Sequence, residues 1–387
     1  MLGKRSNNRG LSEIESMKQS VVHITIVHRR YDSRIFHKEC LSLYEAGYDV
    51  SLIVADGLGD EEKSGIKIID IGRAESSRLK RMIKTSRKAV KAAASLKADI
   101  YHFHDPDLLI AALELRKEAC VIFDSHEDFP ALMLQRDYIP DFARRLLFRF
   151  ASFTERYSAK RLSAVVCATE TIQRKFLSYG NIFTETVKNY PVFADNGNAE
   201  PHCFPEKAVA CYVGGLTDVR GVKEMLEACD KAGVKLLLAG EFDNAEYFKQ
   251  VKSMPQWQNV EFLGYVPNAE VRERVYERSS VGLVLLHKAP NHTFSIPIKQ
   301  MEYMQAGLPV IASREVLFCK EVTEKEHCGL VVNPLDIDEV AEAIRKIVNN
   351  PDLAKQMSAN AVKASADKYN WSSQEKVLLD FYKRLLV

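Results

Sequence analysis

The sequence lacks several features that would assign it to a class at once. No apolar run approaches the roughly 18 residues that a membrane-spanning helix needs. With 54 Lys and Arg against 52 Asp and Glu, the net charge of +2 favours no nucleic acid or other polyanion as a partner. The opening residues are polar and without the apolar core of a signal peptide, so we expect a cytoplasmic protein.

Paired cysteines are missing as well. The 8 cysteines are scattered and include no C-x-x-C pair, and several lie inside apolar runs such as 210–213. That pattern is typical neither of a disulfide framework nor of a zinc site. We therefore expect reduced thiols buried in the core.

The 387 residues include enough apolar side chains to form two hydrophobic cores. A hydrophobic content of 46% with 27% charged residues is typical of a soluble globular protein, and the length exceeds one ordinary domain. Two successive series of short apolar strands alternating with helices predict parallel sheets covered on both faces. The strands are expected at 21–27, 48–54, 100–104, 121–124 and 164–168, and then at 209–213, 235–239, 260–263, 281–286, 309–312 and 329–332.

This pattern divides the chain into two halves of similar size, which implies a cleft between them where ligands commonly bind. In open parallel sheets the ligand lies beyond the carboxyl ends of the strands, so the residues that follow each strand are the candidates. The expected parts are a polar extension (1–20), an N-terminal domain (21–193), a linker (194–205), a C-terminal domain (206–370) and a closing helix (371–387).

Residues 295–313 form the most informative segment. They predict a short helix that begins at Pro297, ends before Gly307 and leads into a buried strand. Unpaired amides at a helix start attract phosphate, and Lys299 adds a cation there. Glu302 lies one turn further on, suited to accept hydrogen bonds from a ribose. The alternative is an ordinary surface pair of Lys299 with Glu302, worth ~0.2–0.5 kcal/mol.

Two further segments carry groups suited to phosphate or sugar. Gly214 and Gly215 follow a strand and would let the backbone approach a phosphate that Arg220 clamps, although a tight turn uses paired glycines too. His126 lies among the carboxylates of 124–128 and is suited to contact a sugar or to transfer a proton. A structural histidine beside two helix-capping carboxylates is the alternative.

A metal site is a further alternative for the first half of the chain. His102, His104, Asp105 and residues 126–128 offer ligands of the kind that metal-dependent hydrolases use. Asp105 followed by proline equally fits the start of an ordinary helix.

Residues 78–97 contain basic residues and no acidic ones, with apolar residues at helical spacing. Such a basic amphipathic helix is able to lie on anionic lipid, and residues 144–150 add a second basic, apolar element. A solvated helix face is the alternative. The candidate membrane or acceptor contacts on this helix are Lys84, Arg87 and Lys88.

Taken together, these segments resemble the retaining GT-B glycosyltransferases of family 4, of the group 1 type, over nearly the whole chain after residue 20. The resemblance implies an α/β fold of two Rossmann-like domains that face each other across a cleft, with the C-terminal helix returning to the first domain. It is carried by 100–107 and 124–128 in the first half, and by 213–221, 260–266, 297–313, 328–334 and 369–371 in the second.

The resemblance also implies the chemistry: transfer of a sugar from a UDP- or GDP-linked donor, with retention of configuration and without a metal or cofactor. Glu302 would hold the ribose, while Arg220 and Lys299 neutralise the leaving diphosphate. His126 would contact the donor sugar near its reacting centre. The remaining donor-binding residues would be Gly214, Gly215 and Pro297.

The chain departs from the family pattern at three places. Phe294 stands where the family commonly has the first of two glutamates with seven residues between them. Gly215 replaces a usual arginine, which leaves Lys299 as the substitute cation. The glycine-rich loop after the first strand is replaced by a basic loop, in which Arg29 and Arg30 are candidate contacts to a phosphate-bearing acceptor.

The resulting prediction is a glycosyltransferase of bacterial surface polysaccharide synthesis: O-antigen, capsule or exopolysaccharide. Its acceptor would be a lipid-linked glycan, and the enzyme would contact the inner face of the cell membrane peripherally. Three alternatives stay open: a UDP-sugar epimerase of the same fold, a metal-dependent hydrolase, and a nucleotide-sugar binder without activity.

Overall fold

The computed structural model describes residues 18–134, 140–192 and 202–386. Most of the predicted N-terminal extension and most of the predicted linker lie outside the described residues. The described residues form two sheets, one in each half of the chain.

The first sheet has the strand order β3-β4-β2-β1-β5-β6-β7-β8 and is parallel except for the pairing of β3 with β4. The order places β1 at the centre, where it pairs with β2 on one side and β5 on the other. Its strands are β1 (Ser20–Ile24), β2 (Asp49–Val54), β3 (Glu61–Lys63), β4 (Ile66–Asp70), β5 (Ile100–Phe103), β6 (Cys120–Ser125), β7 (Ala164–Cys167) and β8 (Thr184–Thr186).

The second sheet has the order β11-β10-β9-β12-β13-β14, and its pairings are all parallel. Here β9 is central, so the loop that follows it opens at the middle of the sheet's carboxyl edge. The strands are β9 (Val209–Val213), β10 (Lys235–Ala239), β11 (Val260–Gly264), β12 (Val281–Val284), β13 (Val310–Ser313) and β14 (Gly329–Val332).

Helices cover both sheets. Those of the first half are α1 (Leu41–Glu45), α2 (Arg78–Lys80), α3 (Ser86–Ser95), α4 (Phe129–Leu134), α5 (Asp141–Ala159) and α6 (Glu170–Leu177). Those of the second are α7 (Val222–Ala232), α8 (Ala245–Lys252), α9 (Asn268–Arg274), α10 (Pro290–Thr293), α11 (Ile298–Gln305), α12 (Leu317–Glu326), α13 (Ile337–Val348), α14 (Pro351–Asp367) and α15 (Trp371–Leu385). Wider helical turns at Ile35–Cys40 and Arg81–Thr85 continue into α1 and α3.

The cores lie on the two faces of each sheet because successive strand residues point to opposite sides. In β1, Val22 packs in one buried cluster with Phe103, whereas Val21 packs in the opposite cluster with Ile100. Because both faces of each sheet are apolar, the strand sequences are short apolar runs in which apolar and polar residues do not alternate. The predicted α/β fold of two parallel-sheet domains is confirmed.

The closing helix α15 returns to the first domain, as predicted. Its Trp371, Phe381 and Tyr382 are buried in the cluster that covers β1 and β2. The indole of Trp371 donates a hydrogen bond of 2.9 Å to the Ser42 hydroxyl. The end of the chain therefore forms part of the core of the domain with which it began.

The structure bears on two predictions, that the cysteines are buried thiols and that the chain has no membrane-spanning helix. All 8 cysteines are free thiols, and most are buried, but Cys203 is exposed and is not a core residue. Among the described helices, none is both long and apolar enough to cross a bilayer.

Candidate functional site

The carboxyl edge of the second sheet is built from glycines that allow close backbone approach. Gly214 follows β9 with φ of 137°, and Gly240 follows β10 with φ of 143°. A Cβ added to Gly240 would lie 1.8 Å from the Gly214 carbonyl oxygen, and one on Gly221 would lie 2.3 Å from the Leu285 carbonyl oxygen. Side chains are thereby excluded, which leaves an open backbone surface beside the start of α11.

Helix α11 follows the predicted pattern with a shift of one residue. Pro297 is the residue before the helix and not its first residue, and Gly307 follows the helix with the expected left-handed φ of 74°. Lys299 in the first turn and Glu302 one turn later are both half-buried. The Lys299 side chain reaches from the first turn of this helix to Gly214.

Two cations converge on Gly214 and Gly215. The Lys299 ammonium lies 2.8 Å from the position of a Cβ on Gly214, and the Arg220 guanidinium lies 2.8 Å from that of a Cβ on Gly215. Lys299 donates a hydrogen bond of 2.7 Å to the Tyr212 hydroxyl, and Arg220 donates one of 3.2 Å to the Gly215 carbonyl. Two cations beside paired glycines are an arrangement of the kind that binds a dianion such as a diphosphate.

Glu302 is the residue predicted to hold the ribose, and its carboxylate is bonded within the second domain. Burial raises the pKa of Glu302, while the hydrogen bond of 3.3 Å that Tyr276 donates to its carboxylate and the charge of Lys299 act in the opposite direction.

Lys38 also lowers the pKa of Glu302, although it comes from the first domain. Its ammonium donates a hydrogen bond of 2.6 Å to Asn189. Burial lowers the pKa of Lys38 to about 8.

Lys38 is a residue that sequence reasoning missed. It lies in the helical segment after β1, with no phosphate-binding or sugar-binding motif around it, so nothing local distinguished it. Only the folded chain shows that its charge is near enough to influence Glu302 in the other domain.

His126 directly follows β6, and its imidazole is bonded to the buried carboxylate of Asp124. Its Nε2 lies 2.8 Å from Asp124 Oδ2, and the side chain is 21% exposed. Arg34 donates two hydrogen bonds to the Asp124 carboxylate, of 2.8 and 2.9 Å. Burial alone would raise the pKa of Asp124, but the charges of Arg34 and His126 hold it well below its usual value. The imidazole is thus fixed at the domain edge with one nitrogen committed to Asp124.

The residues of the metal alternative are not brought together as expected. Asp105 Oδ2 accepts hydrogen bonds from the Ile26 amide at 2.5 Å and the Thr25 hydroxyl at 3.0 Å, so this carboxylate stabilises the turn after β1. His104 lies 2.9 Å from His23 through its Nε2 and 3.2 Å from Asp124 through its Nδ1. Asp105 is therefore not grouped with His102 and His104, although the predicted hydrolase site included all three.

Of the two arginines predicted for acceptor binding, Arg30 is unsuited to that role. It is buried, pairs with Asp56 at 2.6 Å and also bonds Glu61 and the Gly59 carbonyl. Those contacts occupy its guanidinium, so the expectation that it meets an acceptor is wrong. Arg29 is exposed.

The basic helix of 78–97 is present, and its charges divide into two groups. Arg78 and Arg81 both pair with Asp107, at 3.1 and 2.7 Å. Lys84, Arg87 and Lys88 are exposed, beside Leu79 at 67% and Ile83 at 46% exposure.

Helix α4 contacts both this basic helix and α5. The Arg78 guanidinium lies 4.8 Å from the centre of the Phe129 ring in α4, and α4 packs along α5. On α5 an apolar row recurs at helical spacing, with Phe142 77%, Leu146 67%, Phe150 60% and Phe153 67% exposed. Arg145 and Arg149 are exposed within the same row. We call the exposed side chains of 79–88 and 142–153 the basic-apolar face.

Phe294 stands just after α10 and is 51% exposed. Its ring offers no hydrogen-bond acceptor to a donor sugar, so the position that commonly holds a glutamate supplies no carboxylate here.

Two family models match the chain, one for each half. The model for Glycosyltransferase Family 4 matches residues 33–186, and that for Glycosyl transferases group 1 matches residues 198–364. Together they cover both domains, and the second includes every predicted donor-site residue.

Curated relatives are distant. An uncharacterized glycosyltransferase of Methanocaldococcus jannaschii is 26% identical over 46% of this chain and 45% of its own length. The alpha-D-kanosaminyltransferase of Streptomyces kanamyceticus is 21% identical over 61% of this chain and 64% of its own length. The chain thus spans about half to two thirds of the length of these relatives.

Solved structures match along nearly the whole chain. The sucrose-phosphate synthase of Thermosynechococcus elongatus has a TM-score of 0.72 at 18% identity, covering 95% of this chain and 99% of its own. Anabaena HepE in complex with UDP-glucose has a TM-score of 0.68 at 13% identity, covering 94% and 99%. At such identities the likeness establishes the fold.

Proposed function

Since this chain belongs to the group 1 glycosyltransferases of GT-B fold, we propose that it transfers a sugar from a nucleotide-sugar donor with retention of configuration. The observation that carries the proposal is the convergence of Lys299 and Arg220 on Gly214 and Gly215, with Glu302 one helical turn away. A nucleoside diphosphate fits this arrangement, with its phosphates at the helix start and its ribose hydroxyls on the carboxylate.

The proposed catalysis rests on positioning and charge. As the bond from the sugar to the diphosphate breaks, negative charge grows on the leaving phosphate, where the two cations stabilise it. His126 contacts the donor sugar from the first domain, in an orientation fixed by Asp124. None of these steps calls for a metal ion or a cofactor, so we propose metal-independent transfer with UDP or GDP as the leaving group.

We further propose that the acceptor is a lipid-linked glycan used for bacterial surface polysaccharide, and that the enzyme works in the cytoplasm at the inner face of the membrane. The basic-apolar face supports this proposal. Exposed phenylalanine and leucine suit the acyl boundary of a bilayer, and the adjoining Lys84, Arg87 and Lys88 suit anionic headgroups. The N-terminal domain would then hold the acceptor, and the C-terminal domain the donor.

The donor site is tested by thermal unfolding of the purified chain with UDP, GDP, ADP, CMP and their sugar conjugates, with and without EDTA. A ligand at about one hundred times its dissociation constant should stabilise by ~2.7 kcal/mol. Stabilisation by one nucleotide family in EDTA is expected, and it should be lost in Glu302→Ala but kept in Glu270→Ala, whose carboxylate pairs with Arg274 on the surface. Equal stabilisation of both variants would contradict the assigned site.

Turnover separates transfer from the related chemistry of an epimerase. Transfer requires an acceptor and releases the nucleoside diphosphate, whereas an epimerase changes or hydrolyses the nucleotide-sugar without any acceptor. Product analysis with the stabilising donor, alone and with a lipid-diphosphate-linked glycan, should show acceptor-dependent release. Conversion of the donor without acceptor would favour the epimerase.

Contact with the membrane is tested separately from donor binding. Charge reversal of Lys84, Arg87 and Lys88 to glutamate should weaken flotation with vesicles of phosphatidylglycerol and phosphatidylcholine, without changing stabilisation by the nucleotide. Unchanged flotation would refute the membrane part of the proposal and leave the donor site untouched.

A further inference from the structure

Four side chains that offer metal-ligand atoms meet inside the first domain, outside the proposed donor site. They are His23 of β1, Glu39 of the helical segment before α1, and His102 and His104 of β5. One donor atom from each lies within 4.8 Å of those of the other three. Three imidazole nitrogens and a carboxylate oxygen are a donor set that Zn²⁺ and related divalent ions bind.

The cluster is sealed from water. His23, Glu39 and His102 are 0% exposed and His104 is 1% exposed, and α15 covers them through the Tyr382 hydroxyl, which lies 2.8 Å from His102 Nδ1. The histidine rings pack against one another, with centroids 4.8 to 5.2 Å apart. No described residue of the set opens to the cleft, so a bound ion would have a structural role and would not reach substrate.

The second observation is that polar atoms of this cluster are left without hydrogen-bond partners. They are His23 Nε2, His102 Nε2 and both carboxylate oxygens of Glu39. Arg34 Nε is 3.0 Å from Glu39 Oε1 but directs its hydrogen to Asp124. A buried polar atom without a hydrogen-bond partner is destabilising, and four at one point indicate a missing partner.

Charge at the cluster agrees with a cation. Arg34 donates two hydrogen bonds to Asp124, and its Nε also lies 3.0 Å from Glu39 Oε1, so one positive charge is shared by two buried carboxylates. A divalent ion would supply the further positive charge, and three neutral imidazoles would complete the coordination.

The outer contacts are those that metal-binding histidines usually make. His104 Nδ1 lies 3.2 Å from the Asp124 carboxylate, which leaves its Nε2 directed toward His23. His102 Nδ1 has the Tyr382 hydroxyl as partner. Oxygen partners of this kind fix ring orientation at a metal site.

We propose that His23, Glu39, His102 and His104 bind one divalent transition-metal ion, with Zn²⁺ as the best match to the donor set, and that the ion fastens the C-terminal helix to the first domain. Bonds of about 2.0–2.2 Å require tetrahedral donors about 3.3 Å apart, so the four side chains would draw together slightly. The neighbouring group of His104, Asp124 and His126 is a poorer candidate, because Asp124 is already bonded to Arg34 and His126. This inference goes beyond the proposed function, since the proposed transfer chemistry does not use the ion.

The test uses the full chain without added histidines. Elemental analysis of the purified protein should find about one zinc ion per chain, and Co²⁺ added to the EDTA-treated protein should give the visible absorption of a tetrahedral site. Zn²⁺ should raise the melting temperature of the EDTA-treated chain. A chain that carries no metal, and whose melting temperature and spectrum respond to neither ion, would overturn the proposal.

Substitutions in and beside the cluster test whether the ion binds there. Glu39→Gln should lose the cobalt absorption, whereas His37→Gln, which removes an exposed imidazole two residues away, should keep it. Because a substitution at Glu39 risks the fold, Tyr382→Phe provides a milder one: loss of this outer partner should weaken zinc binding about 10–100-fold. Unchanged zinc affinity in Tyr382→Phe together with unchanged cobalt absorption in Glu39→Gln would show that the metal binds elsewhere and overturn the proposal.

Discussion

Lys299 and Tyr212 form a preassembled pair at the phosphate end of the proposed donor site. The Lys299 ammonium lies 2.7 Å from the Tyr212 hydroxyl and 4.2 Å from the centre of its ring. Tyr212 belongs to β9, and its hydroxyl in turn donates a hydrogen bond of 3.1 Å to the Gly215 carbonyl. The cation is therefore held above the glycine loop before any ligand arrives, which reduces the ordering that binding would require.

The first prediction concerns this cation. Lys299→Gln removes a charged donor to the diphosphate, and hydrogen bonds to charged groups contribute about 1.5–3 kcal/mol. We expect the dissociation constant of the stabilising nucleotide-sugar to rise roughly 10- to 150-fold, as measured by calorimetry. Lys235→Gln is the matched control, because Lys235 begins β10 at the opposite edge of the sheet. Similar affinities for both variants would contradict the phosphate role of Lys299.

The second prediction concerns pH. In its proposed role Glu302 accepts hydrogen bonds from both ribose hydroxyls best as a carboxylate, and burial raises its pKa above the ordinary value of 4.5. Nucleotide-sugar binding should therefore weaken as pH falls through the raised pKa. For the chain without ligand the sign is opposite: stability that Glu302 contributes below 4.5 is lost as pH rises through the raised pKa.

Tyr276 provides the control for this pH dependence. Its hydroxyl donates to the Glu302 carboxylate and so lowers the pKa of that group. Tyr276→Phe should move the midpoint of binding to higher pH, whereas Glu302→Gln should abolish the dependence. Thermal shifts measured with a nucleotide-sugar over a series of buffers test both, and a midpoint that Tyr276→Phe leaves in place would exclude Glu302 as the titrating group.

Much of this fold could be predicted because its strands are apolar runs between turn residues. The strands at 209–213, 235–239 and 329–332 were predicted at their observed bounds. The strands β3, β4 and β8 were missed. Ile66–Asp70 of β4 lies inside the sheet and mixes apolar with polar residues, whereas Glu61–Lys63 and Thr184–Thr186 are three-residue polar segments at the two edges. An edge strand pairs on one side only, so its sequence need not be apolar.

The candidate site, too, could be predicted only in part. Lys299 and Glu302 were predictable because they share one helix with a fixed spacing, and the positions of Gly214 and Gly215 follow from the strand before them. His102 and His104 of the buried cluster were among the predicted metal ligands, but His23 and Glu39 were not, because His23 and His104 are 81 residues apart and meet only when β1 pairs with β5. The sequence around a histidine in an apolar strand does not indicate that a glutamate from a distant helix will lie beside it in the fold.

The third prediction compares two glycines with the same backbone conformation. Gly221 has φ of 77° and Gly233 has φ of 70°, so alanine is strained at both by about 1–2 kcal/mol. A Cβ on Gly221 would also lie 2.3 Å from the Leu285 carbonyl oxygen, whereas one on Gly233 would meet nothing within 4 Å. Gly221→Ala should therefore lower the free energy of unfolding by about 1–3 kcal/mol more than Gly233→Ala does. Urea denaturation measures the difference, and equal losses would show that the loop after β9 has room to shift.

The fourth prediction concerns the apolar row of the basic-apolar face. Leu146 and Phe150 are 67% and 60% exposed on α5, so replacing both by serine removes little from the core. If the face enters the acyl boundary of a bilayer, burial of such side chains contributes about 1.5–3 kcal/mol each, and the double variant should bind anionic vesicles at least roughly 100-fold more weakly.

The control for that variant is Leu335→Ser, because Leu335 is 62% exposed in the second domain, away from the face. It should bind vesicles as the unaltered chain does. Melting temperatures of both variants should stay near that of the unaltered chain, since neither replaces a buried side chain. If the double variant floats with the vesicles as before while raising the salt concentration releases it, then charge alone holds the protein to lipid. In that case the apolar row does not enter the membrane.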